Sequence, residues 1–100
     1  MRRRVVLAAE ASNDLSDILA FVAQDSPRAA VRLVAQLADA AEGLALSALH
    51  YPVVLVRRDM LIRRRVVGSY NMLFEVADDA VRVARIVHGS RDLTRLFPET

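Results

Sequence analysis

The stretch that decides this fold is residues 61–76, with the sequence LIRRRVVGSYNMLFEV. Its apolar residues, several of them β-branched or aromatic, follow the two-residue period that is typical of strands. Gly68 and Ser69 stand at the centre, where the pair suits a two-residue hairpin turn of type II′. We therefore predict two antiparallel strands, Leu61–Val67 and Tyr70–Val76.

A third strand is predicted directly after this hairpin. Ala77–Ala80, with two aspartates at its centre, indicates a second tight turn, and the valine-rich segment Val81–Val87 follows it. Strands joined by tight turns must run antiparallel, so the three form a meander. Asp92–Phe97 then suits a short terminal turn or helix.

Two helices are predicted upstream of the meander. Ser12 suits an N-cap, and the segment Asn13–Gln24 that follows carries apolar residues at helical spacing. Ser26 and Pro27 are a second start signal, because a capping hydroxyl is followed by proline at the first helical position. Because of Gly43, the sequence does not fix the residue at which this second helix ends. A short connection predicts that the two helices form an antiparallel hairpin.

The remaining segments complete a β-α-α-β-β-β order. Arg3–Ala8 is a predicted first strand, and His50–Asp59, which contains Pro52, is a predicted extended connector. We therefore expect an α+β fold, with a two-helix hairpin packed on one face of a small antiparallel sheet of at most four strands. A chain of 100 residues predicts a single domain over residues 1–100.

Apolar side chains are predicted on both faces of the middle of the sheet. In the strand after the Gly-Ser turn, one face carries Tyr70, Met72, Phe74 and Val76, and the other carries Leu73. In the last strand, one face is predicted to carry Val81, Val83 and Val87, and the other Ala84 and Ile86. Because two helices can cover only one face, an uncovered apolar face predicts a partner protein.

Composition excludes several classes of protein. Hydrophobic residues make up 54% of the chain, which excludes intrinsic disorder, and without cysteine there is no disulfide scaffold or thiolate site. No stretch approaches the ~18 apolar residues of a membrane-spanning helix. The N-terminal arginines precede too short an apolar run for a secretory signal, so we expect a cytoplasmic protein. Neither ligand spacing for a metal nor a glycine-rich phosphate loop is present, and no cofactor is predicted.

All 14 cationic residues are arginine, and five of them lie within residues 57–65. On a strand, Arg63 and Arg65 point to one side and Arg64 to the other. Such a surface suits a phosphate backbone, an acidic protein segment, or a solvated sheet edge that deters aggregation. His88 near the end of the last strand suits either a general acid or base, or a side chain that holds a turn by a ring hydrogen bond.

Four motifs, in order, resemble the RelE/ParE toxins of bacterial type II toxin–antitoxin systems. They are Asp14-Leu15-x-x-Ile18-x-x-Phe21-Val22, Ser26-Pro27-x-Ala29-Ala30, Arg63-Arg64-x-Val66-x-Gly68-x-Tyr70-Asn71-x-Leu73-Phe74 and Val83-x-Arg85-Ile86-x-His88-Gly89-x-Arg91-Asp92. The resemblance implies the β-α-α-β-β-β fold, growth inhibition and plasmid stabilisation. It also implies a cognate antitoxin that covers the toxin in a hetero-oligomer.

The family resemblance implies one of two activities. RelE-like toxins cut mRNA in the ribosome with a cluster of basic residues and commonly a C-terminal tyrosine, whereas ParE-like toxins bind and inhibit DNA gyrase without catalysis. Here Arg91 matches one basic residue, Phe97 stands at the tyrosine position, and lysine is absent. Because arginine is a poor proton shuttle and phenylalanine is none, these departures favour the gyrase inhibitor.

These considerations nominate three sets of residues. For target contact the expected residues are Arg63, Arg65, Arg85, Arg91, Arg95, Leu96 and Phe97. For antitoxin contact they are Leu19, Val22, Met72 and Phe74, a set that is shared between the core and the antitoxin surface and that the sequence does not divide. In the alternative, a ribosome-dependent mRNA endoribonuclease, the catalytic candidates are His88, Arg91, Arg65 and Arg85. A second alternative is an interaction module without toxicity.

Overall fold

The computed structural model, which describes residues 1–99, is a five-stranded mixed sheet with two long helices on one face. The strand order across the sheet is β1-β5-β4-β3-β2. In chain order the elements are β1 Arg4–Leu7, α1 Ala9–Ala23, α2 Pro27–Ser47, a 3-10 turn Ala48–His50, β2 Val53–Arg57, β3 Met60–Val67, β4 Tyr70–Val76, β5 Ala80–His88 and α3 Leu93–Leu96.

The predicted meander is confirmed. β3 and β4 pair antiparallel from Val67 opposite Tyr70 onward, and β4 and β5 pair antiparallel across the second turn. Gly68 has a φ of 58°, and Ser69 is not in the positive-φ region. That combination is the type II′ turn, which needs a residue without a Cβ at its first central position.

β2 was not predicted as a strand. Val53–Arg57 lies in the segment predicted to be an extended connector, and it pairs antiparallel with β3. Pro52 precedes the strand instead of interrupting it, a position in which proline is tolerated. The predicted limit of four strands was therefore wrong. The residues of β2, V-V-L-V-R, have the β-branched composition that suits an edge strand.

β1 and the start of α1 also differ from the prediction. β1 pairs parallel with β5, with Val5 opposite Val81, so the sheet is mixed and not wholly antiparallel. The ladder continues to Ala8, whose N–H donates to the carbonyl of Val83 at 2.9 Å. The helix follows at once from Ala9, four residues before the predicted start, and Ser12 lies inside its first turn.

The second helix begins as predicted. Ser26 caps α2, with its Oγ accepting the N–H of Ala29 at 3.1 Å, and Pro27 is the first helical residue. The helix passes Gly43 and ends at Ser47. Four alanines on its buried side allow close approach to the sheet and α1, namely Ala30, Ala40, Ala41 and Ala45.

The sheet has two apolar clusters, one on each face. The inner face, which lies under α1 and α2, includes Leu37, Leu44, Met72, Phe74 and Ile86. The outer face, opposite the helices, includes the buried residues Ile62, Leu73, Ala84, Val87 and Phe97. The C-terminal segment of the chain thus covers the middle of the outer face, which the sequence predicted to be left for a partner.

A β-bulge in β5 changes which residues share a face. Val83 pairs with Phe74 and Arg85 with Leu73, so Ala84 is an extra residue on this strand. Beyond the bulge the predicted alternation is reversed. Val87 joins Ala84 on the outer face, and Ile86 lies on the inner face with Val83.

Candidate functional site: the cationic C-terminal segment

The C-terminal segment, residues 89–97, begins where His88 ends β5. The Nδ1 atom of His88 accepts the backbone N–H of Ser90 at 3.2 Å and lies 2.9 Å from the Ser90 hydroxyl. Because a backbone N–H only donates, Nδ1 carries no proton in this arrangement. Tyr70 meets the imidazole edge to face, with ring centroids 5.8 Å apart. His88 therefore holds the turn through its ring, one of the two roles considered from the sequence.

Local hydrogen bonds define the path of the C-terminal segment. The N–H of Gly89 donates to the carbonyl of Ser69 at 2.8 Å, which ties the segment to the β3–β4 turn. Asp92 caps α3 by accepting the backbone N–H of Thr94 at 3.0 Å and its hydroxyl at 2.7 Å. Both bonds favour the ionised carboxylate, the hydroxyl bond most, and lower the pKa of Asp92.

Phe97 anchors the end of the C-terminal segment to the outer face. Its side chain is buried, and half-buried Leu93 and Leu96 pack beside it. The carbonyl of Phe97 accepts a hydrogen bond from Nε of Arg57 at 2.8 Å. Leu96 and Phe97, both predicted to contact the target, thus serve as the attachment of this segment to the sheet.

Arg91 and Arg95 are the exposed cations of the C-terminal segment. The Arg95 side chain is 89% exposed, and its Nε lies 3.9 Å from a carboxylate oxygen of Asp92. An exposed ion pair of this length contributes little to the stability of the fold. Arg91 is also exposed, so both guanidinium groups are available to an anionic partner.

Arg63 and Arg65, by contrast, are held against the inner face. One Nη atom of Arg63 donates to the carbonyl of Tyr51 at 2.6 Å, and one of Arg65 donates to the carbonyl of Ala40 at 2.8 Å. The guanidinium of Arg65 also lies over the Tyr51 ring, 5.3 Å from its centroid. Gly43 makes room for it, since a Cβ there would lie 3.1 Å from Nη1 of Arg65. The structure confirms that the two arginines share a side, but that side faces α2.

Arg85 is bound by Asp14 of α1. Its Nε and Nη2 donate to the two carboxylate oxygens at 2.8 and 3.0 Å. The same carboxylate accepts the backbone N–H of Ile86 at 2.8 Å, beyond the point where β1 has ended. The side-chain hydrogen bond from Arg85 to Asp14 raises the pKa of Arg85, and burial opposes that rise only in part. Arg85 is therefore engaged within the fold.

The role of Asp14 was missed by sequence reasoning, which named this residue only as part of the first motif. A signal was present, because Asp14 lies four residues before buried Ile18 and so on the same side of the helix. The partner Arg85 is 71 residues away, and no local pattern joins the two.

The predicted antitoxin contacts divide into buried residues and residues that remain partly exposed. Met72 and Phe74 are fully buried in the inner cluster and so belong to the core. Leu19 is 38% exposed, and Val22 is half-buried where it packs against the inner cluster. Only the two α1 residues have surface to offer a partner.

A cleft of about 200 Å³ lies between α1 and the end of β5. Its lining includes His88, Arg91, Tyr70, Phe21 and Asp17. Arg65 and Arg85, the other candidates for ribonuclease catalysis, do not line it, so the structure does not bring that set together. Over residues 1–99 no cluster of potential metal ligands is found, and no helix is long and apolar enough to cross a membrane.

Comparison with known proteins identifies related sequences and folds. Residues 5–93 match the family model described as the ParE toxin of the type II toxin–antitoxin system parDE. The chromosomal ParDE toxin–antitoxin system from P. aeruginosa contains a similar fold, with a TM-score of 0.72, 17% identity, and coverage of 87% of this chain and 96% of that one. A chain of the toxin–antitoxin complex RelBE2 from Mycobacterium tuberculosis also has a similar fold, with a TM-score of 0.64 and 21% sequence identity. The match covers 88% of this chain and 99% of that one. A search of curated proteins gave no match.

Proposed function

Because the chain belongs to the ParE toxin family of type II toxin–antitoxin systems, we propose that it binds and inhibits DNA gyrase and that a cognate antitoxin neutralises it. Gyrase acts in the cytoplasm, so we place the toxin there. Growth inhibition, and stabilisation of any plasmid that carries the pair, are the expected consequences.

One observation supports gyrase contact through the C-terminal segment: its two exposed arginines stand on a firmly attached support. Arg57 and the buried Phe97 fasten the segment to the outer face. The backbone that carries Arg91 and Arg95 is therefore ordered before binding, and only the two side chains remain to be ordered. Arginine forks suit carboxylate groups on a protein surface or the phosphates of gyrase-bound DNA.

The arrangement of the candidate catalytic residues of the alternative disfavours ribonuclease chemistry. Arg65 and Arg85 are bound to Ala40 and Asp14, and the His88 Nδ1 atom is used by Ser90. Phe97 occupies the position where the resemblance calls for a tyrosine, and its ring is buried. Because the nominated residues do not come together in one site, we propose binding without catalysis.

An antitoxin partner is supported by the family and by the kind of structures with this fold. The solved neighbours are described as a ParDE toxin–antitoxin system and a RelBE2 toxin–antitoxin complex. We propose that this chain likewise forms a hetero-oligomer with its antitoxin.

A supercoiling assay with purified gyrase tests the proposal. The wild-type chain should inhibit supercoiling, and Arg91→Ala with Arg95→Ala should raise the concentration needed by about tenfold or more. The matched control is Arg28→Ala, which removes an exposed arginine from α2 and should leave inhibition within twofold.

Other results would assign another function. Codon-linked mRNA cuts in translating ribosomes, lost in His88→Ala or Arg91→Ala, would establish the ribonuclease. Normal growth on expression without antitoxin, together with unaffected gyrase, would indicate an interaction module without toxicity.

A further inference from the structure

The cleft between α1 and the end of β5 joins the helical layer to the C-terminal segment. One wall is α1, where Asp17 and Phe21 stand one helical turn apart and so on the same side of the helix. The other wall is the end of the sheet and the start of the C-terminal segment, with Tyr70, His88 and Arg91. The cleft therefore places one exposed side of α1 next to the segment proposed to contact gyrase.

Phe21 forms an apolar wall of this cleft without being part of the core. It is 70% exposed, whereas the other four aromatic residues of the chain are buried or half-buried. Aromatic residues and arginine are enriched in protein–protein interfaces, and here the exposed ring lines the same cleft as Arg91. An occupant that brings an apolar side chain would remove this ring from water.

The wall opposite Phe21 carries two hydrogen-bond donors. Because Nδ1 of His88 accepts the N–H of Ser90, the neutral ring carries its proton on Nε2, at the other edge of the imidazole. The guanidinium of Arg91 is exposed, and within residues 1–99 it forms no ion pair. An imidazole N–H and a guanidinium lining one wall suit a carboxylate, which accepts hydrogen bonds at both oxygens.

Asp17 narrows the class of occupant. It is exposed on the α1 wall, and in the part of the chain that the structure describes it pairs with no cation. A phosphate backbone would bring more negative charge against it and offer no donor. A peptide carries backbone N–H groups beside its acidic side chains, so it can satisfy both walls of the cleft.

From this geometry we propose that the cleft binds an acidic segment of gyrase. A carboxylate of that segment pairs with Arg91 and His88, a neighbouring apolar side chain contacts Phe21, and a backbone N–H donates to Asp17. The inference rests on the proposed function for the identity of the partner. It adds the place and the chemistry of the contact, with Phe21 as a residue that was not nominated for target contact.

Two substitutions test the cleft in the supercoiling assay with the full-length chain. Phe21→Ser should raise the concentration needed for inhibition by about tenfold, because it removes the apolar wall. His88→Asn should raise it by about fivefold, because it removes the Nε2 donor. The asparagine side-chain oxygen can still accept the N–H two residues on, as in an Asx turn, so the turn at Ser90 is retained.

Val31→Ser is the matched control for Phe21→Ser. Val31 is 64% exposed on α2 and is not among the residues that line the cleft. Inhibition should therefore remain within about twofold of wild type, since exposed positions outside the contact are close to neutral. Circular dichroism verifies that each variant folds.

Crosslinking locates the partner directly. A benzophenone side chain introduced at position 21 and irradiated with gyrase and DNA should attach to a gyrase peptide that contains Asp or Glu, identified by mass spectrometry. The same group at position 31 should attach at background level. A crosslink from position 21 to DNA, or to a gyrase segment without an acidic residue, would overturn the inference.

The wild-type chain separates failure of this inference from failure of the proposed function. If wild type inhibits gyrase and folded Phe21→Ser and His88→Asn inhibit equally well, the inference is wrong and the proposed function stands. If wild type does not inhibit gyrase, both are wrong. Variants that lose antitoxin binding but inhibit gyrase like wild type would place the antitoxin in the cleft, which also contradicts the inference.

Discussion

The arginines of β3 and those of the C-terminal segment have the same chemistry and different surroundings. Arg63 and Arg65 belong to the densest cationic run of the chain, yet their guanidinium groups donate to main-chain carbonyls beside α2. Arg91 and Arg95 are isolated in the sequence and exposed in the fold. The density of charge along a chain therefore does not predict which charges remain free to bind a partner.

Among the variants that test this contrast, Asp14→Ala is expected to have the largest effect on stability, because it removes the partner of Arg85. The change leaves Arg85 and the N–H of Ile86 without their acceptor. We expect a loss of about 3 kcal/mol in the free energy of unfolding, measured by urea denaturation. Asp14→Asn, which retains one acceptor oxygen, should lose less. Equal stability of Asp14→Ala and wild type would show that Arg85 is as free as Arg91.

Arg65→Ala should have an intermediate effect. It removes the hydrogen bond to Ala40 and the contact with the Tyr51 ring, so we expect a loss of about 2 kcal/mol in unfolding free energy. Arg64→Ala, the neighbour that faces the outer side, is the control and should lose about 0.5 kcal/mol or less. If both variants lose the same amount, the position of an arginine on β3 does not decide its role.

Arg91→Ala and Arg95→Ala should have the smallest effect on stability. Both side chains are exposed, so thermal and urea unfolding should remain within about 0.5 kcal/mol of wild type. Combined with the expected loss of gyrase inhibition, this result would identify binding groups that the fold does not need. Marked destabilisation would instead place them among the structural arginines.

The acid range offers a test of the α3 cap. Because the pKa of Asp92 is lowered in the folded state, its contribution to stability is present above the ordinary Asp pKa of about 3.9 and is lost as pH falls through the lower folded value. Asp92→Asn should remove that part of the acid dependence. An unchanged pH profile of unfolding below about pH 4 would show that the cap contributes nothing.

Much of the fold follows from local signals in the sequence. The two-residue period around Gly68 and Ser69 predicts the β3–β4 hairpin, and Ser26 with Pro27 predicts the start of α2. The motifs also pointed to the toxin family to which residues 5–93 belong. These features depend on neighbours within a few positions, where side-chain period, turn geometry and capping act directly.

The candidate site depended on contacts that no local pattern contains. Arg85 meets Asp14 across 71 residues, Arg57 meets Phe97 across 40, and Arg65 meets Ala40 across 25. The bulge at Ala84 reverses the faces of the residues after it, which simple alternation cannot anticipate. The sequence by itself determined the elements other than β2, most of their order and the family. Tertiary packing decided which arginines are satisfied by the fold and which are left for a partner, because a guanidinium is free only where no carbonyl or carboxylate from elsewhere in the chain reaches it.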